Sequence, residues 1–201
     1  MAANCPNSDA AKLYHESGIS PRHQRGDLDD SPPEWLAARK KLIGQLGTGF
    51  LIALVGRRGP GKTQLAQQLI MQASAIQKAS LYARAMTMII ELQTANSQLA
   101  QDSRQSVVGR YVAPDLLVVD ECQERGETDF ENRMLNHIID FRYGEMRDTL
   151  LIANLTPEAL QESIGESIAD RLRETGGIMV CDWPSFRQKE STNGTEQDAQ
   201  V

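Results

Sequence analysis

One run of eight residues constrains this chain more than any other. Gly56-Arg57-Arg58-Gly59-Pro60-Gly61-Lys62-Thr63 fits the pattern G-x-x-x-x-G-K-[ST]. At ordinary amino-acid usage such a match arises by chance in roughly one chain in a hundred of this length. Its setting makes chance a poorer account. An unbroken apolar run, Phe50–Val55, ends immediately before it, as a strand covered on both faces would. Within Gln64–Lys78, Leu65, Leu69, Ala73 and Ile76 then recur on one stripe, which is a helical period. A strand that turns through glycines into a helix N-terminus aims backbone N–H groups at one point, and glycine lets an anion approach closely. Gly56, Gly59, Pro60, Gly61 and Gln64 then frame a phosphate cradle. Lys62 supplies a point charge for the outer phosphates, and the Thr63 hydroxyl a ligand for Mg²⁺.

Leu116–Val119 reads as a second buried strand, followed by Asp120 and Glu121. An acid at the C-terminal end of such a strand lies at the sheet edge where open α/β sheets bind ligands. Asp120 is placed to hold magnesium through water, and Glu121 to polarise an attacking water as general base. Adjacent acids after a strand are a weak signal alone. With the loop upstream they favour a water-activating ATPase over a small-molecule kinase, whose base belongs near its acceptor. Asn154 closes a third strand, Thr149–Ala153, where its amide can orient a lytic water; a turn-forming Asn before a helix cap is the plainer alternative. Arg171 and Arg173 lie on a helix that ends at Gly176, and Arg187 closes Asp182–Arg187. A guanidinium stabilises charge developing on a transferred phosphoryl group, although helix arginines are usually solvated.

The remaining pattern is regular. Ser80–Arg84 is a weak strand and Ile178–Cys181 a last one. Helices are expected over Met86–Gln101, along the stripe Phe130, Met134, Ile138 and Phe141, and along Ile164, Ile168 and Leu172. Another starts at Thr156, an N-cap with Pro157 at the first helical position. Alternation of strands and helices implies a parallel sheet with helices on both faces. Before it, short helices fit Ala10–Glu16 and Glu34–Leu46, the second with Trp35, Leu36, Ile43 and Leu46 on one face. The expected division is an extension over 1–44, a nucleotide-binding core over 45–187 and a polar, disordered tail over 188–201.

Composition sets the outer limits. The 201 residues allow one ordinary domain. A net charge of -6 excludes a chain-wide cationic surface but not a local basic patch. Phe50–Val55, the longest apolar run, is too short to span a bilayer, and Met1–Asp9 lacks the regions of a secretory signal. Cys5, Cys122 and Cys181 are scattered, which argues against a disulfide framework or structural zinc and makes a reducing cytoplasm the expected compartment.

The chain resembles the DnaC/IstB group of AAA+ ATPases, which are replicative helicase loaders and transposition ATPases. The resemblance spans roughly Gly18 to Arg187. It rests on GRRGPGKTQLA, LLVVDE and FENRMLNHIIDFRYGEMRDTLLIANLTPEAL, and most specifically on IGESIADRLRETGG and DWPSFR. Gly18-Ile19-Ser20-Pro21-Arg22 also resembles a G-I-P-x-R segment that lies near the nucleotide base in that group. The resemblance implies a P-loop NTPase fold of the ASCE/AAA+ kind: a three-layer α/β sandwich with a five-stranded parallel sheet. It makes Lys62 and Thr63 Walker A, Asp120 and Glu121 Walker B, and Asn154 sensor 1. Arg171 becomes an arginine finger reaching a neighbouring subunit's ATP, and Arg187 a sensor 2 within the same subunit.

Two departures shape the expectation. About twenty residues precede the G-I-x-P-R segment, too few for the separate helicase-gripping domain of bacterial loaders. The chain also ends soon after Arg187, so no full helical lid is expected, and the brevity suits a phage or mobile-element version. The function expected is Mg²⁺-dependent ATP hydrolysis by a homo-oligomer that binds single-stranded DNA and partners a replicative helicase, with no membrane role. Arg84, Arg104, Arg110 and Tyr111 lie in the region that faces DNA in the group. Two alternatives stand beside this: an IstB-like transposition ATPase acting on duplex DNA, and a weakly hydrolysing adaptor or inhibitor of a helicase or initiator.

Overall fold

The structure is a computed structural model, and it describes residues 8–23, 31–95 and 103–184. Its strands are β1 Leu51–Val55, β2 Ser80–Arg84, β3 Leu116–Asp120, β4 Asp148–Ile152 and β5 Gly177–Val180. They form one sheet in the order β2-β3-β4-β1-β5, and every pair is parallel. The helices are α1 Ser8–Glu16, α2 Pro33–Gly44, α3 Lys62–Ala75, α4 Ala85–Thr94, α5 Arg104–Val112, α6 Asp129–Gly144, α7 Pro157–Ile164 and α8 Glu166–Thr175.

The sheet splits its side chains between two cores with the period of two that a pleated strand imposes. Leu51, Ala53 and Val55 of β1, with Leu117 and Val119 of β3, meet α4 to α8. Ile52, Leu54, Leu116 and Val118 face the other way, onto α2, α3 and Tyr14 of α1. Both faces are covered, so β1, β3 and β4 are buried throughout, and this is why β1 and most of β3 read as continuous apolar runs. The result is the three-layer α/β sandwich. Because β4 lies between β1 and β3, the C-terminal ends of those three strands form one edge, and the loops that leave them become neighbours.

Two helices present faces other than those expected from the apolar stripe. In α6 the buried positions are Glu131, Leu135, Ile138, Ile139 and Arg142, and Phe141 is 46% exposed. In α2 they are Trp35, Ala38 and Leu42, with Leu36 and Ile43 only partly buried. The stripe Ile164, Ile168 and Leu172 crosses two helices, broken where Gly165 takes φ 79°. The helix expected over 86–101 is seen from Ala85 to Thr94, and its remainder lies outside the described residues.

Arg142 explains the rotation of α6. It is fully buried. Its Nε donates to Thr149 Oγ1 (2.9 Å), and its terminal nitrogens donate to the carbonyls of Tyr111, Val112, Pro114, Asp115 and Asp148. One guanidinium therefore satisfies carbonyls at the C-terminal end of α5, which have no intrahelical partner, and fastens the starts of β3 and β4. Burial, with the charge of Arg147 adding to it, pushes its pKa down to about 9, which leaves it charged at neutral pH. Arg142→Met should lower the unfolding free energy in urea by about 3–5 kcal/mol, because several buried carbonyls lose their donor. A loss below about 1 kcal/mol would mean that water replaces the guanidinium.

Candidate nucleotide site

The loop between β1 and α3 is built from backbone angles that favour glycine. Gly56, Gly59 and Gly61 have φ of 124°, 111° and 85°. Gly56 has a second constraint: a Cβ there would stand 2.5 Å from the Cys181 carbonyl oxygen. The chain leaving β5 thus packs directly on the chain leaving β1. Gly56 N–H donates to the Leu155 carbonyl (3.0 Å) and Cys181 N–H to that of Val55 (2.8 Å), so the loop is tied to both neighbouring strand ends.

Lys62 opens α3 and is 5% exposed. Its Nζ donates to the Gly56 (2.7 Å) and Arg57 (2.8 Å) carbonyls, which folds the ammonium back over the start of the loop. Burial holds its pKa below the ordinary lysine value. Thr63 Oγ1 donates to Asp120 Oδ2 at 2.9 Å. Tyr82, on β2, donates its hydroxyl to the same oxygen at 2.8 Å. Burial foremost, and then the Asp120 charge, raise the phenol pKa far enough to keep it a donor at any ordinary pH. Asp120 Oδ1 accepts the Glu121 backbone N–H at 2.7 Å. Glu121 sits in the left-handed region (φ 56°, ψ 44°), and Arg84 Nε lies 3.3 Å from its Oε2. Beside them Arg58 pairs with Glu124 at 3.2 Å.

These groups can receive a polyphosphate with a divalent cation. The glycine turns leave room for close backbone approach, and the helix N-terminus favours an anion. Thr63 and Asp120 bring a hydroxyl and a carboxylate together, which are hard oxygen donors of the kind magnesium takes, commonly with only one or two carboxylates. Among the described residues no three His, Cys, Asp or Glu side chains converge as a larger metal cluster. A hydroxyl beside a carboxylate is a hard oxygen donor set, which fits Mg²⁺ better than a softer transition metal.

Residues 48–194 match the family described as IstB-like ATP binding protein. The chain belongs to this family. The uncharacterized protein YdaV of Escherichia coli (strain K12) is 30% identical over 189 residues, 88% of this chain and 73% of YdaV. The replicative helicase loader DnaC of the same strain is 23% identical over 189 residues, 89% of this chain and 76% of DnaC. A crystal structure of the DnaC helicase loader shares the fold, with a TM-score of 0.68 at 18% identity over 80% of this chain and 99% of that one.

In this IstB-like chain two of the remaining expected residues, Asn154 and Gln64, stand at the same sheet edge. Asn154 follows β4, hence stands between the strand ends that carry Asp120 and Gly56, and its backbone N–H donates to Gln123 Oε1 (2.9 Å). Gln64 lies on the first turn of α3, with its Oε1 buried and unpaired among the described residues. Arg171 is elsewhere. It lies 3.0 Å from Asp140, 5.3 Å from the Tyr143 ring centre, and donates to Ser167 on its own helix. Arg187 lies outside the described residues. Ser17–His23 runs beside β2, where the Ser17 carbonyl accepts Tyr82 N–H (2.7 Å). Tyr111 is 3% exposed with its hydroxyl on Glu91, which removes it as a stacking platform; Arg104 packs over Phe130 and Arg110 pairs with Glu91. Among the described residues no helix is long and apolar enough to cross a membrane.

The sequence gives no sign of Tyr82 or Gln123 at the site, and it points Arg84 to DNA rather than to Glu121. Their contacts depend on β2 lying next to β3 and on a turn after β3, and no linear motif encodes either. Gly56→Ala should destabilise the chain by about 1–3 kcal/mol in urea and weaken nucleotide binding, since the substitution meets both an unfavourable φ and the Cys181 carbonyl. Unchanged unfolding would show that the two strand ends separate easily.

Proposed function

We propose that the chain is a Mg²⁺-dependent ATPase that self-associates in its ATP form and acts on single-stranded DNA as a helicase-loader-like protein. The observation that carries the catalytic half is the meeting of Lys62, Thr63 and Asp120 at one sheet edge, with Thr63 and Asp120 2.9 Å apart. Lys62 exchanges the loop carbonyls for the outer phosphates. Thr63 and Asp120 would hold Mg²⁺, which when bound would neutralise charge building on the phosphate oxygens. Glu121 takes the proton of the attacking water, and Asn154 orients that water. For Glu121 to act, its carboxylate turns from Arg84. Gln64 and the loop glycines frame the phosphates, and Arg187 contacts them within the same subunit.

Arg171 acts in the neighbouring subunit. Its partners within the chain, Asp140, Ser167 and Tyr143, lie outside the loop and the strand ends, which suits a group that serves another copy. The DNA and replicative helicase halves follow the relatives named as loaders. Membership of the IstB-like family keeps the alternative that the resemblance implied, a transposition ATPase that binds duplex DNA. Comparing affinity for single and double strands with ATP present separates the two. Turnover that stays negligible with either DNA would favour the adaptor or inhibitor.

Glu121→Gln should keep ATP binding in calorimetry while turnover falls about 10²–10⁴-fold. Arg171→Ala should likewise bind ATP yet lose turnover, by at least about 10³-fold, and assembly. Mixing it with Lys62→Ala subunits should restore part of the rate, because one partner brings ATP and the other the guanidinium. Loss of nucleotide binding by Arg171→Ala alone would place that residue in its own subunit's site.

A further inference from the structure

The two tryptophans of the chain both end on the phosphate loop. Trp35, in α2, donates its indole N–H to the Gly61 carbonyl at 3.3 Å. Trp183, beyond β5, donates to the Pro60 carbonyl at 2.5 Å. They arrive from opposite sides of the nucleotide-binding motif in sequence, 26 and 123 residues from their acceptors. Both are buried, Trp35 completely and Trp183 to 6% exposure, so neither ring is free to stack on a nucleotide base. Their polar edges serve the loop instead. Buried indoles usually find one acceptor for the N–H, and here both acceptors are consecutive carbonyls of a single turn.

Peptide geometry gives this pairing a consequence. In a trans peptide the C=O and the N–H of the next residue are coplanar and point opposite ways. The Pro60 carbonyl shares its peptide with Gly61 N–H, and the Gly61 carbonyl shares its peptide with Lys62 N–H. An indole that holds each carbonyl therefore aims the paired N–H away from the tryptophan. Gly61 is in the left-handed region, where a glycine peptide could otherwise rotate at little cost. The Gly61 carbonyl also accepts Leu65 N–H at 3.0 Å, while the Pro60 carbonyl, before the helix, depends more on its tryptophan.

We propose that Trp35 and Trp183 are positioning residues for the triphosphate: through the Pro60 and Gly61 carbonyls they fix the direction of the Gly61 and Lys62 N–H groups that receive it. This rests on the reading of Gly56–Thr63 as the phosphate loop. Trp183 carries the larger share, having the shorter bond to the less supported carbonyl.

The test uses the full chain and a non-hydrolysable ATP analogue with Mg²⁺. Trp183→Phe keeps an aromatic ring and removes the N–H. It should weaken binding about 3- to 10-fold, and Trp35→Phe about 2- to 3-fold, as loss of one modest hydrogen bond predicts. Phenylalanine also leaves a smaller ring in a packed site, so a second protein carries benzothienylalanine at both positions, which keeps the bicyclic shape without the N–H. It should unfold only a few degrees below the wild type, as loss of two modest hydrogen bonds predicts, bind the analogue more weakly, and show shifted or broadened Gly61 and Lys62 amide signals in the nucleotide-free protein. Wild-type amide signals and wild-type affinity in the N–H-free protein would overturn the proposal while leaving the phosphate loop in place. Failure of the wild-type chain itself to bind the analogue would overturn the loop reading and this proposal together.

Discussion

The structure turns on how close two chain segments come at Gly56. Nothing larger than a hydrogen fits between its Cα and the Cys181 carbonyl, where a methyl group would sit at 2.5 Å. That approach lets β1, in the interior of the sheet, leave it and reverse into α3 without pushing β5 away. The Leu155 and Val55 carbonyls then tie the ends of β4, β1 and β5 into one edge. Everything proposed for the site depends on that edge being narrow. A loop free to drift by an ångström would lose the alignment that makes backbone N–H groups useful to an anion.

Electrostatics at the edge is built in pairs that a ligand can take over. Lys62 rests on two carbonyls, Thr63 on Asp120, and Glu121 on Arg84. In the proposed mechanism Lys62 exchanges neutral carbonyls for phosphate charge, Thr63 and Asp120 present their oxygens to a cation, and Glu121 leaves Arg84 for the attacking water. The Arg84–Glu121 pair is largely exposed, with side chains 63% and 37% accessible, so it is worth at most about 1 kcal/mol. Asp120 is different. It is 4% exposed and accepts from Thr63, Tyr82 and the Glu121 backbone together. That set of donors keeps a buried carboxylate oriented, as groups behind a metal ligand do. Tyr82 thereby joins the site although it stands on the edge strand, on the far side of β3 from the loop.

What was legible in the sequence was what is contiguous along it. Strand, glycine turn and helix follow one another from Phe50 to Lys78, and Asp120 directly closes an apolar run. These needed no knowledge of the fold. Helix faces were less readable where a charged residue occupies the core. The apolar stripe of α6 runs through Phe141, but the Arg142 guanidinium has five carbonyls to satisfy, and together they outweigh burying one ring. Tyr111 falls in the region expected to face DNA, yet it is buried with its hydroxyl on Glu91. Tyr82, Trp35 and Trp183 were illegible for a different reason. Their partners are fixed by strand order and by packing between segments distant in the chain, so no spacing rule reports them.

The position of Arg171 bears on how assembly and turnover can be linked in the proposed oligomer. Within one subunit its guanidinium is engaged by Asp140 at 3.0 Å and stacked near Tyr143, with the side chain 24% exposed. Reaching a neighbour's triphosphate requires it to release Asp140. A half-exposed pair of this kind holds with about 1 kcal/mol or less, whereas an arginine serving a transferring phosphoryl group contributes on the order of 10³–10⁵ in rate, several kcal/mol at the transition state. The guanidinium can therefore leave Asp140 at small cost, and what it contributes to a neighbour is realised as the transferring phosphoryl group gathers charge. In the proposed mechanism the Asp140 pair keeps Arg171 ordered in a lone subunit, and the charge offered by an adjoining ATP draws it across. Hydrolysis leaves the charge shared between ADP and phosphate, and departure of the phosphate then removes the anion that faces Arg171.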